Sequence, residues 1–140
     1  MVGIDLGERR IGLAVSDASS TLARPLRTIE RDRADEIAAD TLASAIRALN
    51  TEDEISSVVV GLPTRLDGTA SDQTARVQKM AALLSSRITM PVVFQDERLS
   101  SHEADERLAQ HERDWRRRKA KLDAASAAVI LQDYLDQQKP

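Results

Sequence analysis

The sequence predicts an α/β fold: a central five-stranded mixed sheet, three strands in a meander and then two parallel strands, flanked by helices. Three observations carry that expectation. Apolar runs of strand length recur at 2–6, 11–15, 22–29, 57–62 and 91–95. From residue 34 onward, stretches with apolar residues at helical spacing separate those runs. Short polar turns join the first three runs, whereas the later two are reached only through helices, the pattern of a hairpin meander followed by parallel crossovers.

Each element follows from its residues. Val2–Leu6 is a short apolar run broken by Gly3 and flanked by Gly7, which suits a buried strand ending near a turn or a ligand. Glu8, Arg9 and Arg10 make a polar turn, and Ile11–Val15 returns as the second strand. Leu22–Ile29 is the third, and Pro25 assigns it to a sheet edge, because proline has no N–H to donate to a ladder. Ala34–Leu49 carries a helical stripe through Ile37, Ala38, Leu42, Ala45, Ile46 and Leu49. Ser57–Leu62, with three consecutive valines, reads as a strand covered on both faces. Residues 63–70 form a loop with an Asp67-Gly68 turn, and Ser71 caps a helix running to about Arg87. Pro91–Gln95 is the fifth strand. Leu99–Ala109 reads as a helix capped by Ser100 or Ser101, and Ala124–Leu135 as a final packed helix. No repeat, low-complexity segment or linker divides the 140 residues, so residues 1–140 are expected to form one domain.

Composition narrows the function classes. The chain has 41% hydrophobic and 31% charged residues and only Phe94, Trp115 and Tyr134 as aromatics. The core must therefore be aliphatic, and binding of single strands by stacking bases on several aromatics is disfavoured. Without cysteine there can be no disulfide, thiolate zinc site or cysteine nucleophile. Residues 1–15 lack a secretory apolar stretch and no run approaches membrane-spanning length, so the expectation is a soluble cytoplasmic protein with no membrane partner. The net charge is −3, but segment 113–121 holds Arg113, Arg116, Arg117, Arg118, Lys119 and Lys121 against Asp114 alone. Such a patch can attract a polyanion to an otherwise acidic body, or it can be a solvated face.

Candidate chemistry lies with acids at the ends of buried elements. Asp5 sits within the first strand, where a carboxylate among apolar neighbours is costly unless a cation or several donors compensate it. Strand alternation gives it the same face as Gly3 and Gly7. Asp96 and Glu97 follow the fifth strand. Asp123 opens the expected last helix, where an N-cap role is the simplest alternative. Together these acids offer what hard divalent cations require, oxygen ligands converging from several elements. His102 and His111 do not share a helix face, so no zinc pair is formed. Neither a P-loop nor a Gly-x-Ser-x-Gly elbow is present.

Four blocks then resemble one family. They are residues 3–17 (GIDLGERRIGLAVSD), 58–63 (VVVGLP) with Asp67-Gly-Thr69, 96–100 (DERLS) and 121–128 (KLDAASAA). In this order and spacing, over nearly the whole chain, the sequence resembles the YqgF family, also called RuvX, of pre-16S ribosomal RNA nucleases and Holliday-junction-resolvase-like proteins. The resemblance implies a ribonuclease H-like fold and a hydrolase that cuts phosphodiester bonds with Mg²⁺ or Mn²⁺. It implies acidic catalytic metal ligands, which carry over to Asp5, Asp123 and either Asp96 or Glu97, of which Glu97 is chosen. The mechanism expected on that basis has Asp5 bridging two ions and Glu97 and Asp123 each completing one side. Resolvases of the superfamily carry an acid on the fourth strand. Val58–Gly61 has none here, so the acid after the fifth strand would substitute.

Contacts to nucleic acid are expected from Arg98 beside the acids, from Thr64 and Arg65 in the 63–70 loop, and from Arg116, Arg117, Arg118, Lys119 and Lys121 along the phosphates. The implied partner is structured RNA, or branched DNA if the protein resolves junctions, which would require a homodimer rather than a monomer. Two other classes remain as alternatives. One is a non-catalytic module docking on RNA or on a ribosome-assembly partner. The other is an ATP-binding domain, because Gly-Ile-Asp-Leu-Gly before a hairpin also opens sugar-kinase-like folds.

Overall fold

A computed structural model describes residues 1–97 and 115–138, with only the backbone of 115–121 described. Strand β1 (Val2–Leu6) places Val2, Ile4 and Leu6 on one side and Gly3 and Asp5 on the other. It pairs antiparallel with β2 (Arg10–Ser16), which sets Asp5 opposite Gly12. β2 pairs antiparallel with β3 (Ala23–Glu30). The register slips between Leu13 and Ala14, where Pro25 stands opposite Ala14, and β3 forms one edge of the sheet as Pro25 requires.

Helix α1 (Asp35–Glu52) leads into β4 (Val58–Leu62), which runs parallel to β1 with Val59 beside Gly3. Helix α2 (Asp72–Ser85) leads into β5 (Val92–Asp96), parallel to β4 with Asp96 beside Leu62. The five strands lie in the order β3-β2-β1-β4-β5, so the mixed sheet is the expected one. Ser71 caps α2 as its sequence indicated: its hydroxyl accepts from the Thr74 amide while the Thr74 hydroxyl accepts from the Ser71 amide at 2.9 Å, a reciprocal capping box.

The sheet buries both faces. Val2, Ile4, Ile11, Leu13, Val58 and Val60 pack with Leu42 and Ile46 of α1 and with Val77, Met80 and Leu84 of α2. The opposite face, through Ala14 and Val59, packs against Ala127, Ile130, Leu131 and Leu135 of the last helix, α3 (Trp115–Gln137). Small residues let α3 lie very close. A methyl group at Gly3 would come within 2.7 Å of Leu131 Cβ and 2.8 Å of the Ala127 carbonyl oxygen. Gln132 pins the outer edge, accepting from the Ala23 amide at 2.9 Å and donating to the Thr21 carbonyl at 3.0 Å.

One boundary departs from expectation. The final helix begins at Trp115 rather than Ala124, so Asp123 is an interior helical residue and not its first. Nothing in 115–137 interrupts a helix: the span holds no glycine or proline, and arginine and lysine are good helix formers. The basic stretch is thus the opening of the helix that carries Asp123. The helix expected over Leu99–Ala109 lies outside the described residues. No helix among the described residues is long and apolar enough to cross a membrane.

Candidate active site

Three main-chain clearances shape the α3 face and the carboxyl end of the sheet, and two of them admit acidic residues. The first is Gly12, opposite Asp5 in the ladder. The Asp123 carbonyl oxygen occupies the space a side chain at Gly12 would fill, so α3 crosses the sheet in direct contact with β2 there. Asp123 is thereby delivered beside Asp5. The Asp123 carboxylate disfavours ionisation of Asp5, and burial among apolar neighbours acts in the same direction. Desolvation first and the Asp123 charge second push Asp5 up to about 7 from its ordinary 3.8. No hydrogen bond or ion pair from the described residues relieves the Asp5 carboxylate.

The second clearance is Gly61 on β4. It continues the register that sets Val60 beside Ile4, so it stands next to Asp5 on the same face. A methyl group at Gly61 would meet Ile130 Cδ1 at 2.5 Å and the Glu97 carboxylate at 2.9 Å. Glu97, just beyond β5, therefore folds its carboxylate across the neighbouring strand into the space above Gly61. β4 thus carries no acid of its own, and the carboxylate beside it comes from Glu97. Asp96 belongs elsewhere: alternation along β5 turns it to the other face, where its Oδ1 accepts from the Thr64 hydroxyl at 3.1 Å.

The third is Gly7, which closes the β1–β2 turn. Its amide donates to the Arg10 carbonyl at 3.0 Å, and a side chain there would run into that same oxygen at 2.5 Å. This turn, the 63–71 loop and the end of β5 all stand at the carboxyl ends of β1, β4 and β5. Ligands of open α/β sheets bind at that end.

Asp5, Glu97 and Asp123 thus lie on one face and at one end of the sheet. They do not close into a ready-made cage: among the described residues no group of three or more His, Asp or Glu side chains is gathered tightly enough to hold a metal. The donor chemistry nonetheless fits Mg²⁺ or Mn²⁺. These ions take one or two carboxylates and fill the rest of their shell with water and substrate phosphate. A pair of mutually repelling, half-buried carboxylates is the kind of site a cation relieves.

The proposed nucleic-acid contacts divide. Thr64 and Arg65 lie in a loop braced by its own hydrogen bonds. The Arg65 amide donates to the Thr69 carbonyl at 2.9 Å, the Arg65 guanidinium to the Thr69 hydroxyl at 3.4 Å, and the Gly68 amide to the Arg65 carbonyl at 2.8 Å. Gly68 takes φ = 87°, which favours glycine. The Thr74 hydroxyl reaches back to the Pro63 carbonyl, tying the loop to α2. Arg98 lies outside the described residues, as do the side chains of Arg116, Arg117, Arg118, Lys119 and Lys121. Sequence reasoning missed Gly12 and Gly61 as parts of the site. Gly12 alternates in step with Asp5 across a hairpin, and that was the available signal.

The sheet order, with its last helix laid over the face bearing Asp5, is that of the ribonuclease H-like fold. RuvC of Thermus thermophilus, solved in complex with a Holliday junction substrate, superposes with a TM-score of 0.57 at 16% identity, covering 99% of this chain and 95% of that one. The fowlpox virus resolvase in complex with junction DNA gives 0.53 at 10% identity, covering 99% and 98%. At such identities the likeness is one of fold. The chain belongs to the RuvX family, described as Holliday junction resolvases, whose profile matches residues 1–137. A relative from Chloroflexus aurantiacus is 39% identical over 136 residues, 97% of this chain and 86% of its own length. Another, from Crocosphaera subtropica, is 37% identical over 138 residues, 99% and 93%. Both carry the provisional name pre-16S rRNA nuclease.

Proposed function

We propose that this chain is a divalent-metal-dependent nuclease that hydrolyses phosphodiester bonds in the maturation of pre-16S ribosomal RNA, in the cytoplasm where ribosomes are assembled. The observation that supports it most is the Asp5–Asp123 pair. Two carboxylates are held together across Gly12, at the cost of raising Asp5 to about 7, and no cation among the described residues pairs with Asp5. The relatives' names supply the substrate class.

In this reading Asp5, Asp123 and Glu97 would hold the divalent metal, which when bound would supply Lewis acidity at phosphorus and a more acidic water. The protein's own work is positional. β1 and α3 fix two acids against a rigid sheet, and β5 reaches over Gly61 to add a third. The braced loop carrying Thr64 and Arg65 offers donors to the backbone of the bound strand, while Arg98 and the basic residues 116–121 extend the phosphate track.

A junction-resolving activity is the second reading, favoured by the family's description. Cleavage of an RNA bearing an unprocessed 16S end and of a four-way DNA junction, each with Mn²⁺, separates the two. Trimming of the RNA, abolished by Asp5→Asn, is the expected result. Cleavage of the junction alone, by a species of dimer mass, establishes resolution instead. RNA processing undiminished by Asp5→Asn overturns the assignment of the site.

A further inference from the structure

We propose that Arg10 is the phosphate-binding residue of this site, holding a non-bridging oxygen of the nucleic-acid backbone beside Asp5 and Asp123. The inference rests on the metal-dependent nuclease reading and names a group that reading does not use. Arg10 opens β2 two residues before Gly12, so alternation puts it on the face that carries Asp5 and receives Asp123. Along a strand two residues span roughly 7 Å, about the reach of an arginine side chain. The Gly7 turn fixes its backbone from below.

Its surroundings differ from those of the other half-buried arginines among the described residues. Arg10 is half-buried, yet among the described residues its guanidinium has no hydrogen-bond or ion-pair partner. The two other arginines best shielded from solvent have acceptors. Arg31 donates to the Gly7 carbonyl and to Asp35, at 3.0 and 2.8 Å. Arg87 donates to Asp40 and to the Leu83 carbonyl, at 2.5 and 2.8 Å. Even the exposed Arg47 and Arg76 are engaged, with the Arg87 carbonyl and with Glu8. Glu30 is the cross-strand partner of Arg10 in the ladder and does not pair with it.

A half-buried guanidinium without an acceptor carries a desolvation cost that a bound anion removes. The site also needs such a group. Three carboxylates repel a polyanion, and a planar guanidinium, with its fork of donors, matches two phosphate oxygens as an ammonium cannot. Arg10 therefore supplies attraction for the phosphate on the face where the acids supply attraction for the metal.

The test uses the full chain, an RNA hairpin and a four-way DNA junction, with Ca²⁺ for binding and Mn²⁺ for cleavage. Arg10→Gln is expected to weaken binding about 10–100-fold, the value of charge-assisted hydrogen bonds. It should also flatten the slope of log affinity against log salt by about 0.7–0.9, one phosphate contact, and leave Mn²⁺ affinity unchanged. Arg10→Lys should keep the salt slope and lose cleavage rate, because charge remains while the fork is gone. An unchanged affinity and slope for both nucleic acids overturns the proposal, as does loss of Mn²⁺ binding in Arg10→Gln, which would mark a structural role. Failure of the underlying reading looks different: Asp5→Asn would keep cleaving while the Arg10 salt effect persisted.

Discussion

Asp123 and Gly12 meet main chain to main chain: the carbonyl oxygen of one fills the space where the other lacks a side chain. Because Gly12 is also the ladder partner of Asp5, this contact sets the separation of the two carboxylates. A helix held a side chain's thickness further away would carry Asp123 out of range of Asp5, and the raised affinity of Asp5 for a proton would fall with it.

Substituting Gly12 by alanine is therefore expected to damage stability and site together. The backbone of α3 must move to admit the methyl group, with an overpacking cost of about 1–3 kcal/mol. Thermal unfolding should report the loss, and Mn²⁺ titration should show weakened binding in whatever fraction folds. Wild-type stability with wild-type Mn²⁺ affinity would mean that the close contact does not position Asp123.

The titration of Asp5 gives a pH dependence with a definite sign. A folded pKa of about 7, against an ordinary value of 3.8, means that between roughly pH 4 and 7 the native state binds more protons than the unfolded chain. The contribution of this group to stability is complete below pH 4, declines as pH rises through 7, and is flat above. In chelator, Asp5→Asn is accordingly expected to be more stable than wild type at pH 8, by about 1–3 kcal/mol, and equal to it at pH 4. The same variant should be inactive. Melting curves at the two pH values in chelator decide it; a variant less stable at pH 8 would show that the carboxylate is compensated. Protons and the divalent ion compete for Asp5, so metal affinity should fall below about pH 7.

Gly61→Ala isolates the third acid. Its methyl group would press on the tip of Ile130, which can rotate, and on the Glu97 carboxylate, which would be displaced. A modest cost of about 1 kcal/mol is expected, within the range for a small insertion, together with a fall in cleavage rate of at least tenfold. Glu97→Gln should cause a comparable fall, and the double variant should add little to either. Rates that multiply in the double variant would place Glu97 outside the unit formed with Gly61.

How much of this was legible in the sequence depends on the range over which each feature is decided. The strands at 2–6 and 58–62, the edge position marked by Pro25 and the Ser71 cap rest on neighbours a few residues apart, and local pattern sufficed for them. Asp5 stood out for the same reason, as a charge inside an apolar run. The beginning of α3 did not, because a change from basic to alanine-rich sequence resembles a boundary although nothing in it breaks a helix.

The sequence by itself determined the order of strands and helices, the apolar faces of the sheet, and three acids set where a phosphoryl-cutting site could be built. Only the tertiary structure decided that Asp123 reaches Asp5, that Glu97 rather than Asp96 shares its face, and that Arg10 stands there without an acceptor among the described residues. The physical reason is that alternation and helical period are written along the chain, whereas clearance is not. Whether a glycine is a turn, a weak point in a strand or a gap through which another element approaches depends on what folds onto it from a hundred residues away.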